Sequence, residues 1–276
     1  MEFVSHETIE PCADWIEAVF HYKGFEPDHS IERVVPTGHV FVLFELDGYT
    51  RHTFDNASLT PNADFRKAWV SGVHDEYLSI SAHQDSEMFV IQFKPYGAYP
   101  FLKVSMDKLA NRVVAGEDLL EGELMALRDE LFAAPTSEAK FALADDWLTK
   151  RFSGEHVPPA GVVGAAAAIA EQPTAKLSQA LDAFDGTNKH LIDLFRRYVG
   201  ITPKVFQRIL RFNDVFRRIR ENGTIDWAEV ANQCGYADQS HFIREFRRFS
   251  GFNPAEFIRA GVNNDEGNFF PLDREG

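Results

Sequence analysis

At 276 residues, 45% of them hydrophobic and 25% charged, the chain has the composition of a soluble globular protein and room for two ordinary domains. Its formal charge of −14 argues at first against nucleic acid. Residues 1–184 carry −15 and residues 185–260 carry +4, the split expected of a basic module joined to an acidic partner. The two isolated cysteines, Cys12 and Cys234, support neither a disulfide scaffold nor a structural zinc site. The N-terminus shows no signal-peptide pattern and the longest apolar stretch, 160–170, is too short to span a bilayer, so no membrane partner and a cytoplasmic location are expected.

Residues 31–105 alternate short apolar runs (40–46, 77–81 and 88–93) with turn residues such as Asp47-Gly48 and Lys94-Pro95. Several short strands at this spacing predict a sandwich or barrel. From 107 to 152 the period becomes helical, with Leu119, Leu120, Leu124, Leu127 and Leu131, then Phe141, Ala144, Trp147 and Leu148. Two helices should pack beside the β part, and an apolar face left over would serve a dimer. SGEHVPPAG, 153–161, breaks any helix and reads as the linker. Beyond it, helices are expected over 162–171, 176–184, from about 188, from Pro203 to about 221, over 226–234, from about 239, and after Asn253-Pro254. The tail from 263 is polar and expected to be mobile.

A repeat dominates the C-terminal half. Residues 189–206, KHLIDLFRRYVGITPKVF, and 240–257, SHFIREFRRFSGFNPAEF, lie 51 positions apart and agree at eight of eighteen places. One supersecondary unit is therefore built twice. On a helical wheel Phe242, Phe246 and Phe249 form a core stripe, while Ser240, His241, Arg244, Arg247 and Arg248 face away from it. A short helix at 226–234, a turn through Gly235-Tyr236 and this basic helix make a helix-turn-helix, whose second helix would enter a major groove with its N-terminal residues on base edges. Ser240, His241 and Arg244 are the base-reading candidates, and Arg247 and Arg248 the phosphate contacts. In the first unit Leu191, Leu194, Phe195 and Tyr198 turn inward. Lys189 and Asp193 take the reading positions, and Arg196 and Arg197 the phosphate positions. Asp193 replaces the arginine of the second unit and is expected to pair with Lys189 or Arg197, so this unit should make fewer base contacts. A helix from 203 to 221, about 28 Å long, would let the two units address major-groove segments about 34 Å apart.

The stretch from about Lys176 to Arg259 resembles the AraC/XylS family of transcription regulators, most closely in GYADQSHFIREFRRFSGFNPAEF (235–257). The first half is similar, less specifically, to the sensor part of one AraC-like subgroup through RVVPTGHVFVLFEL (33–46), VIQFKPYGAYPFL (90–102) and NRVVAGEDLL (111–120). The resemblance implies a cupin-like or related β-rich domain that binds a small effector or mediates dimerisation, and a sequence-specific, double-stranded-DNA-binding regulator; RNA polymerase and a second copy of the chain are partners such a protein can have.

Together these readings give an α+β chain: a β-rich domain with flanking helices over 1–152, a linker over 153–161, an all-α double helix-turn-helix domain over 162–262, and a tail over 263–276. His39, His74 and His83 match no metal-ligand spacing, and no nucleophile arrangement or phosphate loop stands out, so no cofactor, metal or catalysis is expected. Phe41, Phe44, Tyr77, Phe89 and Phe93 would line an apolar effector pocket, with plain core packing as the competing reading. A cupin-type metal enzyme carrying a DNA-binding appendage, and a first half that serves only assembly, are the alternatives.

Overall fold

The computed structural model describes residues 1–181, 184–222, 227, 236, 238–259 and 269–272. Its first part holds ten strands: β1 Glu2–His6, β2 Ile16–Phe25, β3 Ile31–Val34, β4 Phe41–Glu45, β5 Arg51–Phe54, β6 Pro61–Phe65, β7 Ala68–Ser71, β8 Leu78–Ser81, β9 Ser86–Phe93 and β10 Val113–Ala115. They form two antiparallel sheets, ordered β1-β2-β9-β4-β7-β10 and, with a final strand β11 (Phe269–Pro271), β11-β3-β8-β5-β6. Among the described residues the sheets do not close into a barrel. The three expected strands correspond to β4, β8 and β9. The β region also starts earlier than residue 31, because β1 and β2 pair over 2–25.

Alternation along the strands divides the first sheet into two faces. Phe44, Phe89, Ile91 and Phe93 point to the main core, where Phe89 meets Phe141 at 5.5 Å and Phe93 meets Phe101 at 5.4 Å. Trp69, Met88 and Val90 point to the second sheet and pack with Phe65. Charge crosses between the sheets as well: Glu45 accepts from Arg51 at 2.7 Å, and within its own sheet from Trp69 at 2.8 Å.

Helices α2 (Glu123–Ala133) and α3 (Ser137–Arg151) follow a short α1 (Tyr99–Leu102). Leu124, Leu127, Leu131, Phe141, Ala144 and Leu148 are all buried in the main core. The helical stripe thus packs against the sheet, as its period predicts. The 153–161 stretch contains only a short 3₁₀ turn before α4 (Ala160–Glu171), which Pro159 precedes.

The helical part continues with α5 (Leu177–Leu181), α6 (Asn188–Tyr198), α7 (Pro203–Asn222), α8 (Gln239–Ser250) and α9 (Pro254–Arg259). The expected helix at 226–234 and the Gly235 turn fall outside the described residues, apart from Trp227. One continuous core joins both halves of the chain, running from Val42 and Phe93 to Phe206, Phe246 and Phe257. The tail departs from expectation. Residues 269–271 pair with β3, and Phe270 is buried against Phe257 at 4.9 Å and Phe216 at 5.6 Å. An aromatic side chain with a vacant place in the core outweighs the polarity around it.

Candidate nucleic-acid interface

The repeat in the sequence is a repeat in three dimensions. Thr187 caps α6 by accepting from the His190 amide at 3.2 Å, and Asp238, 51 residues on, caps α8 by accepting from the His241 amide at 2.7 Å. Phe195 and its counterpart Phe246 are wholly buried, as are Phe206 and Phe257. Gly200 and Gly251 follow the two helices with φ of 97° and 74°, a left-handed turn that glycine adopts without cost. Pro203 and Pro254 then open the next helices. The glycines have a second duty, since a side chain at either would run into the β half: Met106 at Gly200, and Arg33 and Tyr77 at Gly251.

This scaffold presents its polar faces as the wheel predicts. Ser240, Arg244, Arg247 and Arg248 are exposed on α8 and His241 is half-buried; Lys189, Asp193, Arg196 and Arg197 are exposed on α6. No ion pair joins Lys189 to Asp193 among the described residues. Arg197 does not turn to Asp193 either. Its guanidinium donates to the Tyr99 hydroxyl at 2.7 and 3.2 Å and lies over that ring, a bond that holds the guanidinium pKa above its ordinary value. Arg248 is engaged too: it donates to the Asp75 carboxylate at 2.6 Å and to the Asp75 carbonyl at 3.0 Å. Two of the four phosphate candidates therefore rest on side chains of the β half.

Sequence reasoning missed a second basic stripe. Lys204, Arg208 and Arg211 on α7 stand at i, i+4 and i+7, on one face of the helix, and they border a cleft of about 600 Å³ whose other wall is His241, Arg244, Glu245 and Arg248 of α8. That spacing is legible in the sequence, where α7 is read only for its start and its length. Glu245 is buried at the cleft floor, where it accepts from Arg208 and lies 3.5 Å from His241.

Residues 182–260 match the family described as a helix-turn-helix domain. The helical part of the chain is therefore a helix-turn-helix domain. Both units of the repeat lie within this domain, and Asp193 stands in the first where Arg244 stands in the second. Residues 7–115 match a domain of unknown function, DUF6597. No curated protein matches the sequence. Among solved structures, that of ToxT from Vibrio cholerae O395 is 12% identical, with a TM-score of 0.44, covering 93% of this chain and 97% of that one. Wild-type ToxT from V. cholerae strain SCE256 bound to an unsaturated fatty acid is 9% identical, with a TM-score of 0.46, covering 93% and 94%.

In the β half the five pocket candidates separate. Phe44, Phe89 and Phe93 are fully buried in the main core, Phe41 lies on the opposite sheet face beside Trp69, and Tyr77 stacks with Arg33. They do not converge on one cavity. A half-open cavity of about 510 Å³ lies elsewhere, between the first hairpin and the α2–α3 turn, bordered by His21, Lys23, Glu87, Phe132, Ser137 and Lys140. His21 bridges Ser137 at 2.8 Å and Glu87 at 3.1 Å there.

The three histidines singled out in the sequence each have a local partner: His39 the Phe93 carbonyl, His74 the Ser71 hydroxyl and His83 the Ser81 hydroxyl. Among the described residues no group of three or more His, Cys, Asp and Glu could hold a metal ion, and no helix is long and apolar enough to cross a membrane.

Proposed function

We propose that this regulator reads two successive major-groove segments of one duplex face with α6 and α8, and that its β half sets how available those helices are. Ser240, His241 and Arg244 read bases; Lys189 and Asp193 make the poorer contacts of the first segment; Arg196, Arg197, Arg247 and Arg248 hold phosphates. The observation that carries the control is the double engagement of Arg197 by Tyr99 and of Arg248 by Asp75. A guanidinium bonded within the protein must leave its partner before it can take a phosphate, so anything that moves Tyr99 or Asp75 changes DNA affinity.

The signal is a small molecule or a second copy of the chain acting on the β half. The cavity beside His21 and Lys140 is the best seat for a polar ligand, replacing the scattered phenylalanines. The protein works without catalysis, in the cytoplasm, where RNA polymerase is its further partner.

Substitutions separate the roles. Arg244→Ala should cost about 1–3 kcal/mol on a duplex selected for tight binding and relax base preference there, whereas Arg247→Ala should weaken selected and random duplexes alike and reduce the salt dependence. Equal losses on both duplexes from both variants would overturn the assignment.

A further inference from the structure

We infer that the cleft between α7 and α8 seats the phosphodiester strand lying between the two major-groove segments, with Lys204 of α7 as its phosphate contact. The inference rests on the DNA-reading role of α8 and adds a binding surface on α7, the helix that follows the first unit.

Electrostatics identifies the occupant as an anion. Five Lys and Arg side chains border the cleft, and Glu245 is its one carboxylate. The residue is buried to 3% exposure, and one of its carboxylate oxygens, Oε1, takes Arg208 and faces His241 while Oε2 has no hydrogen-bond partner. It acts as a positioning group, because Arg208 is fixed between Glu245 and the ring of Phe249, with its charge held against α8. Lys204 is exposed at one end of the stripe.

Shape identifies the anion as extended. The stripe 204, 208, 211 on α7 and the stripe 241, 244, 248 on α8 each advance seven residues, about 10.5 Å. Either wall is therefore longer than the spacing of successive phosphates on one DNA strand and can meet more than one of them, where a small anion would use one cation pair. The register is shared with reading: Arg244 and Arg248, on the face that meets DNA, are the upper residues of the same cleft. A strand seated there would run past Arg244 as it enters the groove. Gln207 fixes the α7 wall to the preceding turn through the Ala175 carbonyl at 2.9 Å, so the cations stand on a braced helix.

The test uses the full chain, a duplex it selects from a random pool, and a duplex of scrambled sequence, with affinity measured against salt. Lys204→Gln should lower the slope of log affinity against log salt by about 0.9 on both duplexes, weaken both by the same factor, and leave base preference unaltered. Lys204→Arg should restore the slope. Ethylation interference should show phosphates between the two segments that matter to the wild type and not to Lys204→Gln. An unchanged slope in a variant whose parent binds both duplexes would overturn the cleft as a phosphate seat and leave base reading by α8 intact. A parent that binds no duplex would overturn both.

Discussion

The substitution Asp75→Asn tests the coupling between the β half and the reading helices. It keeps the backbone carbonyl that accepts from Arg248 at 3.0 Å and the approximate shape of the side chain, but removes the carboxylate 2.6 Å from the guanidinium. The Arg248 side chain is 45% exposed and that of Asp75 is 21% exposed, so water screens the pair, and it is worth about 0.2–1 kcal/mol, well below a buried ion pair. Release of Arg248 should therefore tighten duplex binding by about 1.4- to 5-fold. The gain should appear equally on selected and random duplexes, because Arg248 faces phosphates, and shrink as salt screens the pair. Fluorescence anisotropy with labelled duplexes measures it. Deleting one negative charge anywhere near DNA also favours binding, so the decisive comparison repeats Asp75→Asn in an Arg248→Ala background, where the gain should vanish. The same gain in both backgrounds, or a loss in either, would refute the latch.

Two further outcomes concern the fold. Burial pushes the His74 imidazole from the usual 6.5 down to about 4, so an unfolded chain gains a proton that the folded one refuses. Its contribution is intact above about pH 6.5 and is lost as pH falls toward 4, by roughly 3 kcal/mol. Glu45 runs the other way: burial raises it to about 7 against the opposing pull of Arg51, so its contribution falls as pH rises from 4.5 to 7. The two slopes offset each other in the wild type. His74→Gln should expose the Glu45 slope, and urea midpoints should then rise on acidification; midpoints that follow the wild type across that window would contradict the assignment. Phe270→Ala should cost about 3 kcal/mol in denaturant unfolding, because its ring is buried among Phe216, Phe252 and Phe257. A change under about 0.5 kcal/mol would mean that the tail does not dock.

The repeat was the most legible part of the chain because it obeys local rules. Phenylalanines at helical spacing turned inward, Gly200 and Gly251 took left-handed turns, and Pro203 and Pro254 opened helices, each for reasons written within a few residues of itself. The β half was read less fully. β1 and β2 are separated by a turn rich in acidic residues and by Pro11, and their pairing shows only when β9 lies beside β2. The docking of Arg197 on Tyr99 and of Arg248 on Asp75 joins residues 98 and 173 positions apart, and no window along the sequence contains both partners. The pocket candidates show the ambiguity of alternating aromatics. Phe44, Phe89 and Phe93 lie on the core side of their strands and Phe41 on the other, a division set by strand register that composition cannot reveal.

The claim that two units read two successive segments is tested most directly by selecting duplexes from a random pool with the full chain and aligning the survivors. α7 has 20 residues and is about 30 Å long, so the account predicts two conserved blocks centred about one helical turn, 10–10.5 base pairs, apart. The block contacted by α8 should be the more strongly conserved and should lose its preference in Arg244→Ala. Survivors with a single conserved block, or with two blocks half a turn out of phase, would contradict it.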